Sequence, residues 1–237
     1  MTWVAQRIQT DYPPDRSPRP IGVLGGTFDP IHYAHLRLAE ELADAVAFSE
    51  VRFVPAAVPP HRGPPRAPAE DRLRMVELAI AGNPRFRVDD RELRRDGASY
   101  SYDTLSEIRI EIGDRPLCLL MGADAFVALT TWHRWNEVLD LAHVVVARRP
   151  GYPLDQLAAS LPGPLKSQYV RRHLPDLAAA RLEPAGRIFT HELTALDVSA
   201  TALRELIAGG GSLRYLLPDP VIAYIESHRL YRTVNAH

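Results

Sequence analysis

Short apolar runs alternate along the chain with longer stretches in which apolar residues recur every three or four positions. The short runs have the length of buried strands, and the longer stretches have the period of amphipathic helices. This alternation predicts an α/β fold, a doubly wound and mostly parallel sheet with helices on both faces. The predicted strands are Ile21–Gly25, Val51–Pro55, Arg85–Asp89, Pro116–Met121, Val144–Ala147 and Arg187–Phe189.

The predicted helices lie between these strands, and together they predict a single domain. Residues 151–185 carry several Pro and Gly residues, which predict an insertion of short helices whose shape the pattern does not define. Residues 1–20 contain four prolines and no apolar core of signal-peptide length, so we expect an extended tail before one domain over 21–237 with a C-terminal helical part. The helices are predicted at Leu36–Val46, Ala69–Ala81, Tyr102–Glu111, Ala123–Leu129 and Trp135–Leu139.

A proline-rich segment, residues 55–68, follows the second predicted strand. Its six prolines exclude regular structure and predict a surface loop. The loop leaves the carboxyl end of a strand, which is the edge where open α/β sheets bind ligands. A lid over a substrate and an ordinary surface connection both fit this composition.

Charge and cysteine content exclude several classes of protein. The 237 residues carry a formal net charge of −1, which gives no overall basic field for nucleic acid. The only lysine, Lys166, follows Leu165 and not Gly, so the Walker A pattern is absent. One cysteine, Cys118, excludes an internal disulfide and agrees with a cytoplasmic protein. No apolar run has the length of a membrane-spanning helix.

The first strand ends in paired glycines and leads into residues 27–35, Thr-Phe-Asp-Pro-Ile-His-Tyr-Ala-His. Asp29 followed by Pro30 predicts a helix start, because an Asp side chain accepts an early backbone N–H and Pro at the first helical position loses no hydrogen bond. The positive end of this helix would face the carboxyl edge of the sheet. Gly25 and Gly26 would let a ligand approach the backbone, so we expect an anion site.

Two histidines follow this predicted anion site. His32 and His35 are three residues apart and share one helix face, where they can hydrogen-bond a phosphate and, when protonated, neutralise its charge. A metal site is one alternative, although a third ligand with suitable spacing is missing. Two surface histidines without a role are another. The glycines do not match G-x-G-x-x-G, which excludes the dinucleotide fingerprint.

A second helix start lies near the C-terminus, at residues 197–211, Asp-Val-Ser-Ala-Thr-Ala-Leu-Arg-Glu-Leu-Ile-Ala-Gly-Gly-Gly. Ser199 is the predicted cap and a glycine the stop. Thr201 and Arg204 share one face, which places a hydroxyl and a fixed cation beside a second positive helix end. An ordinary capped helix with a solvated Arg is the alternative. Two anion-binding helix ends favour a polyphosphate, of which ATP is the natural example.

The two motifs together resemble those of the nucleotidyltransferases related to class I aminoacyl-tRNA synthetases. Residues 25–35 resemble their G-x-F-x-P-x-H-x-G-H signature, with Ala34 in place of Gly, and residues 198–204 resemble I-S-S-T-x-x-R, with Ala200 in place of the second Ser. The resemblance implies a Rossmann-like fold in which His32, His35 and Arg204 are catalytic. It implies an ATP site made of Gly25, Gly26, Thr27, Phe28, His32, His35, Gly122, Asp124, Val198, Ser199, Thr201 and Arg204.

Three strings in the middle of the chain are Ser-Tyr-Ser-Tyr-Asp-Thr-Leu at 99–105, Met-Gly-Ala-Asp at 121–124 and Thr-Trp-His-Arg-Trp at 131–135. They resemble bacterial nicotinate mononucleotide adenylyltransferases, and the similarity runs in the family's order from about Ile21 to Tyr231. That similarity implies a nicotinate ring stacked on Trp132 and a ring carboxylate received by backbone amides near Thr104 and His133. The broad π face of Trp132 suits an electron-poor ring, while a core role is the alternative and is favoured for Trp135. The predicted acceptor site comprises Thr27, His61, Arg62, Thr104, Trp132, His133 and Arg149. Within the chain, the candidates for the oxygens of the mononucleotide phosphate or of pyrophosphate are His61, Arg62, Arg148 and Arg149.

The resemblance implies that the mononucleotide phosphate attacks the α-phosphorus of ATP in line, with Mg²⁺ on the triphosphate. The products would be nicotinate adenine dinucleotide and pyrophosphate. Nicotinamide mononucleotide, or another phosphate acceptor, and a catalytically silent nucleotide sensor remain alternatives. Asp124 fits both a ribose contact and a helix cap. We expect small-molecule partners, neither nucleic acid nor membrane, and leave open whether the chain forms a homo-oligomer.

Overall fold

The structure is a computed structural model that describes residues 18–60, 63–148, 154–194 and 196–232. Residues 1–17 of the predicted tail lie outside this description. The described chain contains one six-stranded sheet of order β3-β2-β1-β4-β5-β6, in which every pair of neighbouring strands is parallel. The strands are β1 (Ile21–Gly26), β2 (Glu50–Pro55), β3 (Phe86–Val88), β4 (Leu117–Gly122), β5 (His143–Arg148) and β6 (Ile188–Glu192).

Helices connect and follow these strands. The predicted helices are confirmed, and the insertion resolves into two helices and a 3₁₀ turn at Leu177–Arg181, with residues 149–153 outside the description. A second 3₁₀ turn lies at Leu129–Thr131. The α-helices are α1 (Tyr33–Val46), α2 (Ala69–Ile80), α3 (Arg91–Arg94), α4 (Ser101–Ile112), α5 (Ala123–Val127), α6 (Trp135–Leu141), α7 (Leu154–Ser160), α8 (Gly163–Arg172), α9 (Ala200–Ala208) and α10 (Asp219–Ser227).

Each face of the sheet carries its own hydrophobic core. Successive residues of β4 alternate between the two, so that Leu119 belongs to one core and Leu120 to the other. This is the period of two expected for a strand that is buried on both faces. Helices α1, α2, α9 and α10 cover one core, and α4 to α8 contribute to the other. The predicted doubly wound α/β fold is therefore confirmed.

A crevice opens at the carboxyl edge of the sheet between β1 and β4. Strand β1 pairs with β2 as far as Gly26, but its paired positions with β4 run only from Ile21 to Val23. The strand order reverses at this same point, because β2 and β3 lie on one side of β1 and β4 to β6 on the other. Such a switch point is where open α/β sheets bind their ligands.

The proline-rich segment is irregular, as predicted, and its described parts are fastened at both ends. The N–H groups of Ala57 and Val58 donate to Ser99 Oγ at 2.9 and 3.2 Å. Those of Arg66 and Ala67 donate to the carboxylate of Asp29. The loop thus joins the turn after β1 to the segment before α4. In the described residues no helix is both long and apolar enough to cross a bilayer.

Candidate active site

The turn after β1 differs from our prediction at its helix start. Helix α1 begins at Tyr33, and His32 occupies the N-cap position with an extended backbone (φ −149°, ψ 172°). The predicted start at Asp29 is wrong because the Asp29 carboxylate is engaged elsewhere. Its Oδ2 accepts the N–H of Arg66 at 2.7 Å, and its Oδ1 accepts that of Ala67 at 3.0 Å. Asp29 therefore holds the proline-rich loop and not the helix.

His32 and His35 lie against each other at the start of α1. Their ring centroids are 3.8 Å apart, with an angle of 31° between the planes, and Phe28 meets the His35 ring edge-on at 5.2 Å. The backbone N–H of His32 donates to Nδ1 of His35 at 3.3 Å. An accepting Nδ1 places the proton of a neutral imidazole on Nε2, so His35 has an N–H donor on the far side of its ring.

His32 is buried and its charge state follows from that burial. Only 5% of the residue is exposed, and its Nδ1 atom has no hydrogen-bond partner among the described residues. Desolvation lowers the pKa of His32 from 6.5 to about 4. The ring is therefore neutral near pH 7 in the unliganded protein. It can offer a hydrogen bond to phosphate, but not the positive charge that the sequence left open.

The lowered pKa of His32, from 6.5 to about 4, predicts a pH-dependent loss of stability. As the pH falls through this window, the unfolded chain takes up a proton at His32 that the folded chain does not bind, so the free energy of unfolding decreases. Relative to a His32→Gln variant, the wild type should lose about 2 kcal/mol between about pH 7 and about pH 5. Urea unfolding of both proteins measures this. His143 and His173 are shared by both and cancel, and parallel pH curves would contradict the assignment.

The second motif forms α9 as predicted and reaches the first motif. Ser199 caps α9, its Oγ accepting the N–H of Ala202 at 3.2 Å, and Gly209 follows the last turn. Arg204 donates from Nη1 to the backbone carbonyl of Asp29 at 2.7 Å and from Nη2 to Thr201 Oγ1 at 3.2 Å. Two segments 175 residues apart thus meet at one guanidinium, which retains three of its five N–H donors for a ligand.

Gly122 and Asp124 lie at the end of β4, beside the crevice. Gly122 is the N-cap residue of α5, and Asp124 is exposed in the first turn. The alternative that Asp124 caps this helix is not supported, since the N-cap position belongs to Gly122 and has no side-chain capping bond. Val198 is half-buried against the core that α1, α2, α9 and α10 cover. Gly122 and Asp124 thus lie at the carboxyl edge of the sheet, and Val198 directly precedes Ser199, the cap of α9.

Trp132 and His133 lie beside the start of α4. Trp132 is half-buried against the core to which α4 to α8 contribute, and Trp135 packs against the same core. The exposed His133 ring lies 4.4 Å from the Tyr100 ring between centroids. Arg134 places its guanidinium carbon 3.7 Å from the centroid of Tyr102, a cation–π contact. The structure therefore brings the Trp132 segment next to the N-terminus of α4.

Thr104 lies in the first turns of α4, and its own polar groups are engaged within the protein. Its N–H donates to the carbonyl of Tyr100 at 3.2 Å, its hydroxyl donates to Glu92 at 2.5 Å, and 3% of the residue is exposed. The N–H of Thr104 itself is therefore not available to a ligand, and the amides near Thr104 that the resemblance implies stay a prediction. The N–H groups without intrahelical acceptors belong to the preceding residues 101–103, in the first turn of α4.

The remaining expected site residues are only partly placed. His61, Arg62 and Arg149 lie outside the described residues. Arg148 lies 3.6 Å from Glu192 at the end of β5. Thr27 is half-buried in the turn after β1, between the glycines and Phe28. Within the described ranges, no group of three or more His, Cys, Asp or Glu residues is arranged to hold a metal ion.

Sequence reasoning missed a buried cluster beneath the turn after β1. Arg72 is 1% exposed, and its guanidinium donates to the carbonyls of Thr27, Ala56, Ala57 and Ala67. Tyr231 donates from its hydroxyl to Oδ1 of Asp29 at 2.8 Å. One signal was available, because Arg72 shares the apolar stripe of α2 with Met75, Val76 and Ile80. A cation in such a stripe indicates a buried polar partner.

Comparison with known proteins connects this architecture to one family. The family model for cytidylyltransferase-like proteins matches residues 23–206. Proteins named probable nicotinate-nucleotide adenylyltransferase from Dechloromonas aromatica and Halorhodospira halophila are 48% and 49% identical, over 90% and 86% of this chain and 98% and 91% of theirs. A Plasmodium falciparum nicotinic acid mononucleotide adenylyltransferase complexed with NaAD has the same fold, with a TM-score of 0.68, 15% identity and coverage of 90% and 97%.

Proposed function

The chain belongs to the nicotinate-nucleotide adenylyltransferases of the cytidylyltransferase-like family, and from this premise we propose that it transfers the adenylyl group of ATP to nicotinate mononucleotide. The products are nicotinate adenine dinucleotide and pyrophosphate. The observation that carries the proposal is the bond between Arg204 and the carbonyl of Asp29, which joins the two nucleotide motifs at one point of the crevice.

The ATP side is formed by the turn after β1 and the start of α9. Gly25, Gly26 and Thr27 line the end of β1, where a Cβ atom added to the exposed Gly25 would meet no other atom within 4 Å, so a ligand has room there. His32, His35 and Arg204 provide donors for phosphate oxygens. Asp124 is a carboxylate acceptor for ribose hydroxyls at the end of β4. Phe28, Gly122, Val198, Ser199 and Thr201 complete the lining.

The acceptor side is formed by the Trp132 segment and the first turn of α4. Trp132 supplies a π face for the pyridinium ring, and His133 stands next to it. The N–H groups at the start of α4 favour a carboxylate, while a carboxamide would present its own N–H groups to them. His61, Arg62 and Arg149 are proposed for the phosphate of the mononucleotide.

The reaction needs no nucleophile from the protein. The mononucleotide phosphate attacks the α-phosphorus in line, and the bond to the β-phosphate oxygen breaks as pyrophosphate leaves with the electron pair. The protein aligns the two substrates and stabilises the negative charge that develops on the transferred group and the leaving group. Mg²⁺ enters as part of the substrate, on the phosphates of ATP.

Pyrophosphate release from ATP tests the proposal, with nicotinate mononucleotide and its amide counterpart assayed in parallel. We expect release with the acid to require Mg²⁺ and to stop when EDTA is added. The acid should be preferred by at least about 100-fold in kcat/KM, because a site of N–H donors leaves bonds unmade with the amide. Equal rates with the acid and the amide would refute the proposed acceptor site but would still support an adenylyltransferase.

If the protein binds ATP but releases no pyrophosphate with either mononucleotide, the proposed function is contradicted and a silent nucleotide sensor is favoured. Ala34 and Ala200 are the departures from the family motifs that make this control necessary. No contact in the described residues favours the sensor over the transferase. Turnover separates the two functions, whereas ATP affinity does not.

A further inference from the structure

Asp29 connects three segments that are far apart in the sequence. Its Oδ2 accepts the N–H of Arg66, and its Oδ1 accepts the N–H of Ala67 and the hydroxyl of Tyr231. Its backbone carbonyl accepts Nη1 of Arg204 at 2.7 Å. The residue is 6% exposed, so these bonds and not water satisfy it. The proline-rich loop (residues 55–68), the C-terminal segment (residues 219–232) and the second nucleotide motif (residues 197–211) therefore meet at one residue.

The carboxylate of Asp29 is close to Arg204 but does not form a hydrogen-bonded ion pair with it. Nη1 of Arg204 lies 3.9 Å from Oδ2, whereas it lies 2.7 Å from the backbone carbonyl of the same residue. Full charge-assisted pairing would require about 2.8 Å. The guanidinium is held by a neutral carbonyl, so its positive charge is less compensated than in a close ion pair with a carboxylate.

Tyr231 is the side-chain donor that holds the other oxygen of this carboxylate. Its hydroxyl lies 2.8 Å from Oδ1. Burial, followed by the negative charge of Asp29, raises the pKa of Tyr231 far above its ordinary value, so the hydroxyl stays protonated and donates. Without this bond Oδ1 would keep one donor, the N–H of Ala67, and the carboxylate could turn toward Arg204.

We propose that Tyr231 is a positioning residue for ATP: its hydroxyl keeps the Asp29 carboxylate from pairing closely with Arg204, so that this guanidinium remains available to the phosphates. The inference rests on the proposed function, because it assumes that Arg204 meets the phosphates of ATP. The proposal gives the C-terminal segment, which lies outside both nucleotide motifs, a role in substrate binding. Tyr231 itself touches no reacting atom.

A matched control is available in the same part of the chain. Tyr224, on α10, donates its hydroxyl to Asp71 Oδ1 at 2.7 Å. Asp71 belongs to α2, and this bond reaches neither Asp29 nor Arg204 among the described contacts. Tyr231→Phe and Tyr224→Phe therefore each remove one tyrosine-to-carboxylate bond of the C-terminal segment. Tyr231→Phe should lose more thermal stability than Tyr224→Phe, because Asp29 is 6% exposed whereas Asp71 is half-buried and open to water, so the two affinities are compared where both variants are folded.

Calorimetric titration with ATP and Mg²⁺ distinguishes the two variants, at a temperature well below both melting points. We expect Tyr231→Phe to raise the Kd for ATP about tenfold and Tyr224→Phe to change it less than about twofold. Equal affinities in the two variants would refute the proposal. A wild type that does not bind ATP would refute the proposed function as well, so the two failures differ.

A double-mutant cycle tests the route through Arg204. In an Arg204→Gln background the cation is gone, so Tyr231→Phe should change the Kd for ATP less than about twofold. A tenfold effect that persists in this background would overturn the positioning role and would indicate a general packing defect. Asp29→Asn supplies the converse check, since an uncharged amide oxygen competes for Arg204 far less than a carboxylate does, and Tyr231→Phe should then have little further effect.

Discussion

Replacing His35 by alanine is expected to lower kcat by about 100- to 1,000-fold while the fold stays intact. The ring is half-buried at the start of α1, and its Nδ1 is occupied by the backbone N–H of His32. Its Nε2–H is therefore fixed in orientation before ATP arrives. Alanine removes this donor, and the phosphates lose charge stabilisation that is needed mainly in the transition state.

The measurement is steady-state pyrophosphate release, accompanied by circular dichroism and a melting curve for each variant. His32→Ala should show a loss of the same order, because the two rings lie 3.8 Å apart between centroids and both belong to the proposed phosphate site. His35→Gln keeps a hydrogen-bond donor but cannot be protonated, so it separates the donor from the charge. His228→Ala, an exposed histidine at the end of α10, is the matched control and should retain wild-type turnover.

Near-wild-type turnover in His35→Ala or His32→Ala would remove that histidine from the catalytic assignment. An unfolded variant would not support the assignment, which is why the melting curve accompanies each rate. A variant that raises KM for ATP with kcat unchanged would place the ring in ground-state binding. The expected pattern is the opposite, with the larger change in kcat.

The strands were predictable because parallel strands buried on both faces appear as continuous apolar runs. The prediction of Val144–Ala147 for β5 differs by one residue at each end from the observed His143–Arg148. The prediction of Arg187–Phe189 captured only part of β6, Ile188–Glu192, since its last residues are polar and partly exposed. Helix α3, at Arg91–Arg94, was missed because one turn carries no periodic signal.

The two nucleotide motifs were predictable because each is a local string with a capped helix or a glycine turn. The residues that hold them were not, since their contacts span long distances in the sequence. Asp29 was assigned to the nearest helix by local capping rules, but its carboxylate binds the chain 37 and 38 residues later. Tyr231 lies 202 residues from the oxygen that it binds. Spacing alone does not reveal such partners.

Arg72→Leu is expected to lower the free energy of unfolding by about 3–5 kcal/mol. The guanidinium donates to the carbonyls of Thr27, Ala56, Ala57 and Ala67. Burial lowers the pKa of Arg72, and the negative charge of Asp29 nearby opposes part of that lowering. Leucine fills part of the volume but leaves these carbonyls unpaired, and it leaves Arg204 as the nearest remaining cation to the Asp29 carboxylate, at 3.9 Å. The loss would be a large fraction of the stability of an ordinary domain.

Urea unfolding of Arg72→Leu beside Arg74→Leu measures the effect on one helix. Arg74 lies two positions along α2, 54% of its side chain is exposed, and it pairs with Glu77 at the surface, so its replacement should cost less than about 0.5 kcal/mol. Arg72→Lys should fall between the two, because one ammonium group keeps the charge but cannot reach all four carbonyls. Equal stability of the two leucine variants would show that the buried guanidinium is not needed to hold the turn after β1. A selective loss in Arg72→Leu would mean that this turn, which leads to the proposed catalytic histidines, depends on a cation outside either nucleotide motif.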